Sequence, residues 1–334
     1  PLGLLTPRLE AADRPHARAL LNAFDYAADL YRRRGVLEGE GVLRLASDGE
    51  GADRLKRLGA LLDDRYAWLD AEEASARTGA RSDAGLWMGG AGTFRPAPVV
   101  AALAGQTPAR DVEIRAVEHQ TAGWRLQDAD GTSHGPFAAV VVAGGHEAGA
   151  LTGLDVECTA GRVGVFQSSG DLATPAAWGG YAAPFAQDRV LLGATHVKGA
   201  DPGAPDDAEA ELRETARSAP VQVMDRLGAC VEQWGGVRAA LADRLPVCGV
   251  LPDTGYAARW RDAAQGRSNG PAAGAPGPAP LMLGALGARG FAHAPLLAEH
   301  MASAVCGEPA ALENSGLDAL HPARFAWRAL KRGG

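Results

Sequence analysis

The chain holds 334 residues, 46% of them hydrophobic and 22% charged, with a net charge of −7. Such a composition excludes a chain disordered throughout, and the length suits one large domain or two intertwined ones. The negative balance gives no overall pull toward nucleic acid, so contact with RNA requires a local basic patch. Basic charge is almost entirely arginine, with Lys56, Lys198 and Lys331 the only lysines.

Cys158, Cys230, Cys248 and Cys306 lack CxxC or ligand-like spacing, which argues against a zinc site and against a secreted disulfide framework. No run reaches the roughly 18 apolar residues of a membrane span, and the first residues lack the basic-then-apolar pattern of a signal peptide. The expectation is a cytoplasmic protein with free thiols, no metal and no membrane contact.

In chain order, "PLGLLTPRLE" is an apolar opening that reads like the middle of something. Residues 13 to 34 predict a helix: Asp13 as cap, Pro15 near the first turn, apolar residues at helical spacing, and Arg32, Arg33 and Arg34 facing the helix dipole before Gly35. Residues 41 to 47 read as a strand, 51 to 64 as a helix, and 68 to 78 as a third short helical piece. Residues 85 to 105 read as a glycine-rich loop leading into a helix after Pro96 and Pro98. Residues 112 to 145 predict two or three strands, a "DADG" turn, and then a buried strand "FAAVVVAGG".

Strands at 162 to 169 and 189 to 196 precede a helical stretch at 206 to 228. The segment 234 to 253 reads as a turn-rich approach to the last strand. The Gly/Ala/Pro-rich segment 262 to 280 is expected to be an exposed, flexible loop.

Residues 281 to 309, "LMLGALGARGFAHAPLLAEHMASAVCGEP", predict a buried strand, a glycine loop and a helix with Pro295 in its first turn and Gly307 as its stop. That junction aims free backbone N–H groups and a positive helix end at one point, which suits an anionic or electron-rich group lying against the backbone. A turn needed only for tight packing is the alternative. The tip of the 138 to 145 strand is equally bare of side chains, and in open α/β sheets ligands sit outside the carboxyl ends of the strands.

Here the residues resemble a family. "GARGFAHAPLLAEHMASAVCGEP" followed by "LDALHPARFAWRALKRG" is similar to the end of the FAD-dependent half of the bacterial bifunctional enzymes that make 5-methylaminomethyl-2-thiouridine in tRNA. "GLLTPRLE", "GVLRLAS", "GTFRPAPVVAAL", "VVVAGG", "GGYAAPFAQDRVLLGATH" and "ADRLPVCGVLPD" agree in order. The wider group is the amine and amino-acid oxidases, glycine and sarcosine oxidases among them. One departure stands out: the strand, GxGxxG turn, helix and acidic strand end that hold the FAD pyrophosphate and ribose in that group are missing. The expectation is a fragment, with a degenerate descendant that binds no flavin as the alternative.

The resemblance implies an α/β fold: a Rossmann-like FAD-binding domain, truncated at its N-terminus, interleaved with a mainly antiparallel β-sheet substrate domain. The expected segments are 1 to 40, 93 to 150 and 248 to 334 for the FAD domain, and 41 to 92 and 151 to 247 for the substrate domain. It also implies FAD as cofactor, tRNA as partner, and a fused or separate N-terminal methyltransferase or nucleotide-binding part. The implied reaction oxidises a secondary amine, so that the carboxymethyl group on the wobble uridine leaves and an aminomethyl group remains. A small-molecule oxidase of glycine or sarcosine type, and a non-catalytic fragment needing the missing element, are the alternatives.

Carried over residue by residue, Arg238 holds the substrate carboxylate with a planar bidentate pair, or else makes a surface salt bridge. Tyr181 supplies a hydrogen bond at the flavin face, or else packs in the core. Arg289, with the backbone of Gly287, Ala288, Gly290 and Phe291, lies by the flavin pyrimidine edge. Gly144 and Gly145 belong to the ADP side, Gly3 and Leu4 to the isoalloxazine side, and Val112 is a further cofactor-binding residue. His293 and His300 are structural on this reading. The basic run of Arg324, Arg328, Lys331 and Arg332 is either a solvated tail or a phosphate contact.

Overall fold

Short, largely apolar runs make three strands, Val42–Leu45, Tyr66–Leu69 and Gly85–Met88, in which Leu43 lies opposite Trp87 and Trp68 opposite Leu86. They form one side of a nine-stranded sheet in a computed structural model that describes residues 1–46, 49–170, 172–201, 203–265 and 278–332. From the other side the order runs Val197–Lys198, Glu157–Ser168, Arg189–Gly193, Tyr181–Ala186 and Ala176–Ala177 before reaching these three. Along that path every pairing is antiparallel except the one between Ala176–Ala177 and Val42–Leu45. Leu227–Ala240 pairs with Glu157–Ser168.

The sheet packs its core on Leu43, Leu45, Phe166, Leu192 and Leu212, the last from the helix Pro205–Arg217. The strands Gly3–Leu5, Gly92–Phe94 and Leu37–Glu38 form a separate small sheet. In the helix Pro15–Arg33, Leu20, Phe24, Ala27 and Tyr31 are fully buried along one stripe, as a 3.6-residue repeat requires.

A second sheet places Val141–Val142 beside Leu281–Gly284 in parallel, and Val247–Val250 beside Leu281–Gly284 in antiparallel. Val142, Met282 and Val247 are the centre of its core. Ile114–Gln120, Gly123–Asp128 and Ser133–Phe137 make a three-stranded meander.

The chain divides into two compact units. Pro1–Asp13, Phe24–Gln106 and Cys158–Val237 build one; Arg14–Ala23, Thr107–Glu157 and Arg238–Gly334 build the other. These cuts differ from the expected boundaries. Residues 1 to 13, 24 to 40 and 93 to 106 go with the large sheet: Leu2 and Leu4 pack on its Val165, Ala183 and Leu191, and Gly3–Leu5 holds Gly92–Phe94, which in turn pairs with Leu37–Glu38. Residues 151 to 157 and 238 to 247 go with the other unit, where Leu154, Val156, Leu241 and Val247 join its core.

Several local expectations change. Residues 68 to 78 are a strand end followed by the helix Ala71–Thr78, because Asp70 closes a capping box with Glu73 and starts the helix there. The "glycine-rich loop" after 85 contains two strands. A side chain at Gly85 or Gly92 would strike the carbonyl oxygens of Arg44 or Glu38, at 2.7 and 2.6 Å, so these glycines mark close strand approach.

The next helix is Pro96–Ala104, with Pro96 inside its first turn. The helix predicted at 206 to 228 ends at Arg217, with Pro220 close behind. The segment 234 to 253 contains the end of the 14-residue strand Leu227–Ala240. The buried strand at 137 to 145 shrinks to Val141–Val142, and Val141 is 42% exposed because it lies at a sheet edge. Of the loop expected at 262 to 280, residues up to Gln265 complete the helix Tyr256–Gln265, and 266 to 277 lie outside the described residues.

Candidate functional site

Because Val141 pairs with Leu281 and Val142 with Met282 in parallel, the two strands deliver their carboxyl ends side by side. Each is followed by a left-handed glycine, Gly145 at φ +60° and Gly287 at φ +58°. Each glycine opens one 3₁₀ turn, Gly145–Glu147 or Gly287–Arg289, that runs into a helix. A Cβ at either glycine would meet no atom within 4 Å, so the backbone borders open space at both turns.

Gly144, Gly145, Gly287, Ala288, Arg289, Gly290 and Phe291 therefore gather at one end of this sheet. Arg289 stands at the N-cap of the 17-residue helix Gly290–Cys306, whose positive end is also there. The helix begins earlier than expected, which leaves Pro295 inside it rather than in its first turn. Ala285, which the sequence did not mark, adopts φ +53° between strand and turn while its side chain is buried. An L-residue rarely occupies that region, and here it lies between the end of the strand and Gly287.

In the other unit Leu4 and Tyr181 pack against one apolar cluster with Leu2, Val165, Ala183 and Leu191. Gly3 lies under the ring of Phe94, whose Cζ would be 2.6 Å from a Cβ there. Tyr181 is opposite Gly193 in the register, and its ring crosses that glycine so closely that a Cβ at Gly193 would fall 2.6 Å from the phenol oxygen. Glycine inside a strand was the available sequence signal for this pairing. In the unit of the glycine turns, Arg238 stands half-buried near the end of Leu227–Ala240, and Val112 lies exposed ahead of Ile114–Gln120.

Of the basic C-terminal run, Arg324 and Arg328 form a structural lock with Asp243. Arg324 is 3% exposed; it donates to both oxygens of Asp243, at 2.9 and 3.0 Å, and to the carbonyls of Leu320, His321 and Leu245. Arg328 donates to Asp243 Oδ2 at 2.7 Å, and the Lys331 ammonium lies 5.5 Å from the Trp327 ring centroid. Burial would raise the Asp243 carboxyl, but the hydrogen bonds and charge of Arg324, with Arg328, hold it down to about 2. Burial, with the Arg324 charge and His300, pushes the His321 imidazole down to about 4. The Arg324 guanidinium is thus committed inside the protein and is withdrawn as a phosphate contact.

Among the described residues no group of three or more His, Cys, Asp or Glu could hold a metal, and no helix is long and apolar enough to cross a membrane.

The paired glycine turns fit a flat, electron-rich cofactor pressed against backbone: they offer open glycines, a helix N-terminus and the Arg289 charge. Comparison with known proteins agrees. Over 336 residues the chain is 39% identical to the tRNA 5-methylaminomethyl-2-thiouridine biosynthesis bifunctional protein MnmC of Maricaulis maris (strain MCS10), covering 100% of this chain and 50% of the relative. Against the protein of the same name from Caulobacter sp. (strain K31) the identity is 32%, covering 98% and 52%. The chain thus spans about half the length of the curated relatives it matches.

Among solved structures, glycine oxidase from Geobacillus kaustophilus superposes with a TM-score of 0.74 at 21% identity, covering 95% of this chain and 86% of that one. Iminodiacetate oxidase from Chelativorans sp. BNC1 gives 0.70 at 21%, covering 96% and 88%. Both likenesses establish the fold. The family model for FAD dependent oxidoreductases matches residues 2–304, and the chain belongs to that FAD-using family.

Proposed function

We propose that this chain removes the carboxymethyl group from 5-carboxymethylaminomethyl-(2-thio)uridine at the tRNA wobble position, leaving the aminomethyl form. The observation that carries this reading is the 39% identity running over the whole chain to a tRNA-modifying relative. When bound, FAD supplies the two-electron acceptor that turns the secondary amine into an imine, and water then releases glyoxylate.

On this reading the protein's own residues bind and orient. Gly287, Ala288, Gly290 and Phe291 offer backbone at the flavin ring, and Arg289 offers positive charge to it. Gly144 and Gly145 serve the ADP side, Gly3 and Leu4 the ring side, and Val112 contributes to cofactor binding. Arg238 takes the substrate carboxylate as a bidentate pair, and the Tyr181 phenol, held flat over Gly193, supplies a hydrogen bond. On this reading the protein is cytoplasmic and acts together with an N-terminal methyltransferase or nucleotide-binding part.

A second reading, oxidation of a small amine such as glycine or sarcosine, gains support from the lock: Arg324 is unavailable to RNA phosphate in a chain of net charge −7. Absorption spectra with and without added FAD, followed by glyoxylate release from modified tRNA against glycine and sarcosine, separate the two. Release from tRNA alone supports the first reading; release only from the small amines sinks it. In the tRNA assay Arg238→Ala should raise KM strongly, and an unchanged KM would remove Arg238 from the site.

A further inference from the structure

Away from the glycine turns, the unit with the large sheet holds a cleft of about 530 Å³ that none of these roles uses. Glu38 and Glu40 stand on one wall, on the short connection between Leu37–Glu38 and Val42–Leu45. Both are exposed, and neither carboxylate forms an ion pair among the described residues. Opposite in charge but in the same cleft is Arg77, in the last turn of Ala71–Thr78.

The Arg77 guanidinium lies 4.3 Å from the centroid of the Trp87 ring and makes no ion pair among the described residues. The indole is itself seated on Gly41, where a Cβ would fall 2.6 Å from its Cη2. This stack fixes the guanidinium in place. Half-buried Phe185 adds an aromatic wall, its ring already neighboured by the Arg95 guanidinium at 5.0 Å and the tilted Trp234 ring at 6.0 Å between centroids, so a ligand meets the part of the ring that these leave uncovered.

Two acceptor-only carboxylates, a pre-positioned guanidinium and an aromatic wall call for three features in one ligand: N–H donors, an anionic group and a flat body. A simple cation would be repelled by Arg77, and a small amino acid would leave most of the cleft empty. A nucleotide has all three features. Among the common bases, guanine alone presents a ring N–H and an adjacent amino group on the same edge, a donor pair that one carboxylate accepts in bidentate fashion.

We propose that this cleft binds a guanine nucleotide, its base edge on Glu38 or Glu40, its phosphate on Arg77 and its ring against Phe185. Only the source of that nucleotide, a guanosine of the RNA substrate, rests on the demodification reading above.

Calorimetric titration of the full chain with GMP, AMP, CMP, UMP and glycine tests the assignment without flavin or tRNA turnover. GMP should bind at least about tenfold more tightly than the other three, the discrimination of one good bidentate base contact. The double variant Glu38→Gln, Glu40→Gln should erase that preference, and Arg77→Gln should weaken all four nucleotides together and flatten their salt dependence. Equal binding of all four, a preference that survives the double variant, or glycine binding as tightly as GMP would overturn the proposal.

A guanosine-containing trinucleotide binding at least as well as GMP supports RNA as the source, and tighter binding of free GMP overturns that part. GMP selectivity in a chain that releases no glyoxylate from modified tRNA would support the cleft and refute the demodification reading. Glyoxylate release by a chain blind to GMP would do the reverse.

Discussion

Arg77 and Arg324 are the same residue type in the last and first turns of two short helices, and they have opposite fates. Arg324 is buried, satisfied by five hydrogen bonds and committed to Asp243. Arg77 lies on the surface of an indole with its polar edge open to a cleft. What separates them is the partner that the fold brings near. An acidic residue 81 positions away closes on Arg324, whereas the acidic residues nearest to Arg77 in its cleft stop short of ion-pair distance. A buried, paired guanidinium maintains structure; an exposed, unpaired one is available for binding.

The contrast is broken most directly at the lock. Asp243→Ala leaves a buried guanidinium without its carboxylate and should lower stability by about 3–5 kcal/mol in urea unfolding; a loss under about 1 kcal/mol would show that the pair is not buried in solution. Acid should do the same reversibly. His321 is depressed when folded, so the unfolded chain binds its proton more readily. Stability contributed by the neutral ring is then complete above about pH 6.5 and is lost as pH falls toward 4, on the order of 3 kcal/mol.

Asp243 is also depressed, so its contribution, roughly 2 kcal/mol, is complete above about pH 4 and is lost as pH falls through 2. His321→Gln should flatten the first window and leave the second. A slope between pH 6.5 and 4 that survives this substitution would assign it to another group.

Gly193→Ala should displace the Tyr181 ring and cost about 1–3 kcal/mol, and under the proposed function glyoxylate release should fall by more than the loss of folded protein. Ala285→Gly relieves a left-handed backbone but frees the unfolded chain, so the two effects should nearly cancel, with a net change under about 1 kcal/mol. Smallest of all, Arg77→Ala should leave thermal stability within about 0.5 kcal/mol of the parent. A larger loss would make the cation–π stack structural and weaken the contrast with Arg324.

Much of the fold was legible where one periodicity acts alone. The helix Pro15–Arg33 was readable from its apolar stripe and basic end, and the strand, glycine turn and helix at 281 to 306 from their order. Gly85 and Gly92 misled because a glycine required by a neighbouring carbonyl looks the same in sequence as a glycine in a loop. Trp234 to Ala240 misled because its paired glycines suggested a turn, whereas pairing with Glu157–Ser168 holds the segment extended.

At the candidate site, glycine content pointed to Gly145 and Gly287. Nothing local marked Ala285, since alanine gives no sequence signal for a left-handed backbone. Asp243 with Arg324, and Glu38 with Arg77, are products of long-range topology, and no window of sequence contains either pair.

The division of the chain into two units, each assembled from three separate stretches, has a consequence for how the protein can be handled. Neither unit exists as a contiguous segment, so no single truncation isolates one of them, and every cut within the interleaved region damages both. Mapping an activity by successive deletion would report misfolding in place of function. The same interleaving means that many native contacts join distant parts of the chain. Folding should therefore be slow and late, closing only when the outermost stretches have met.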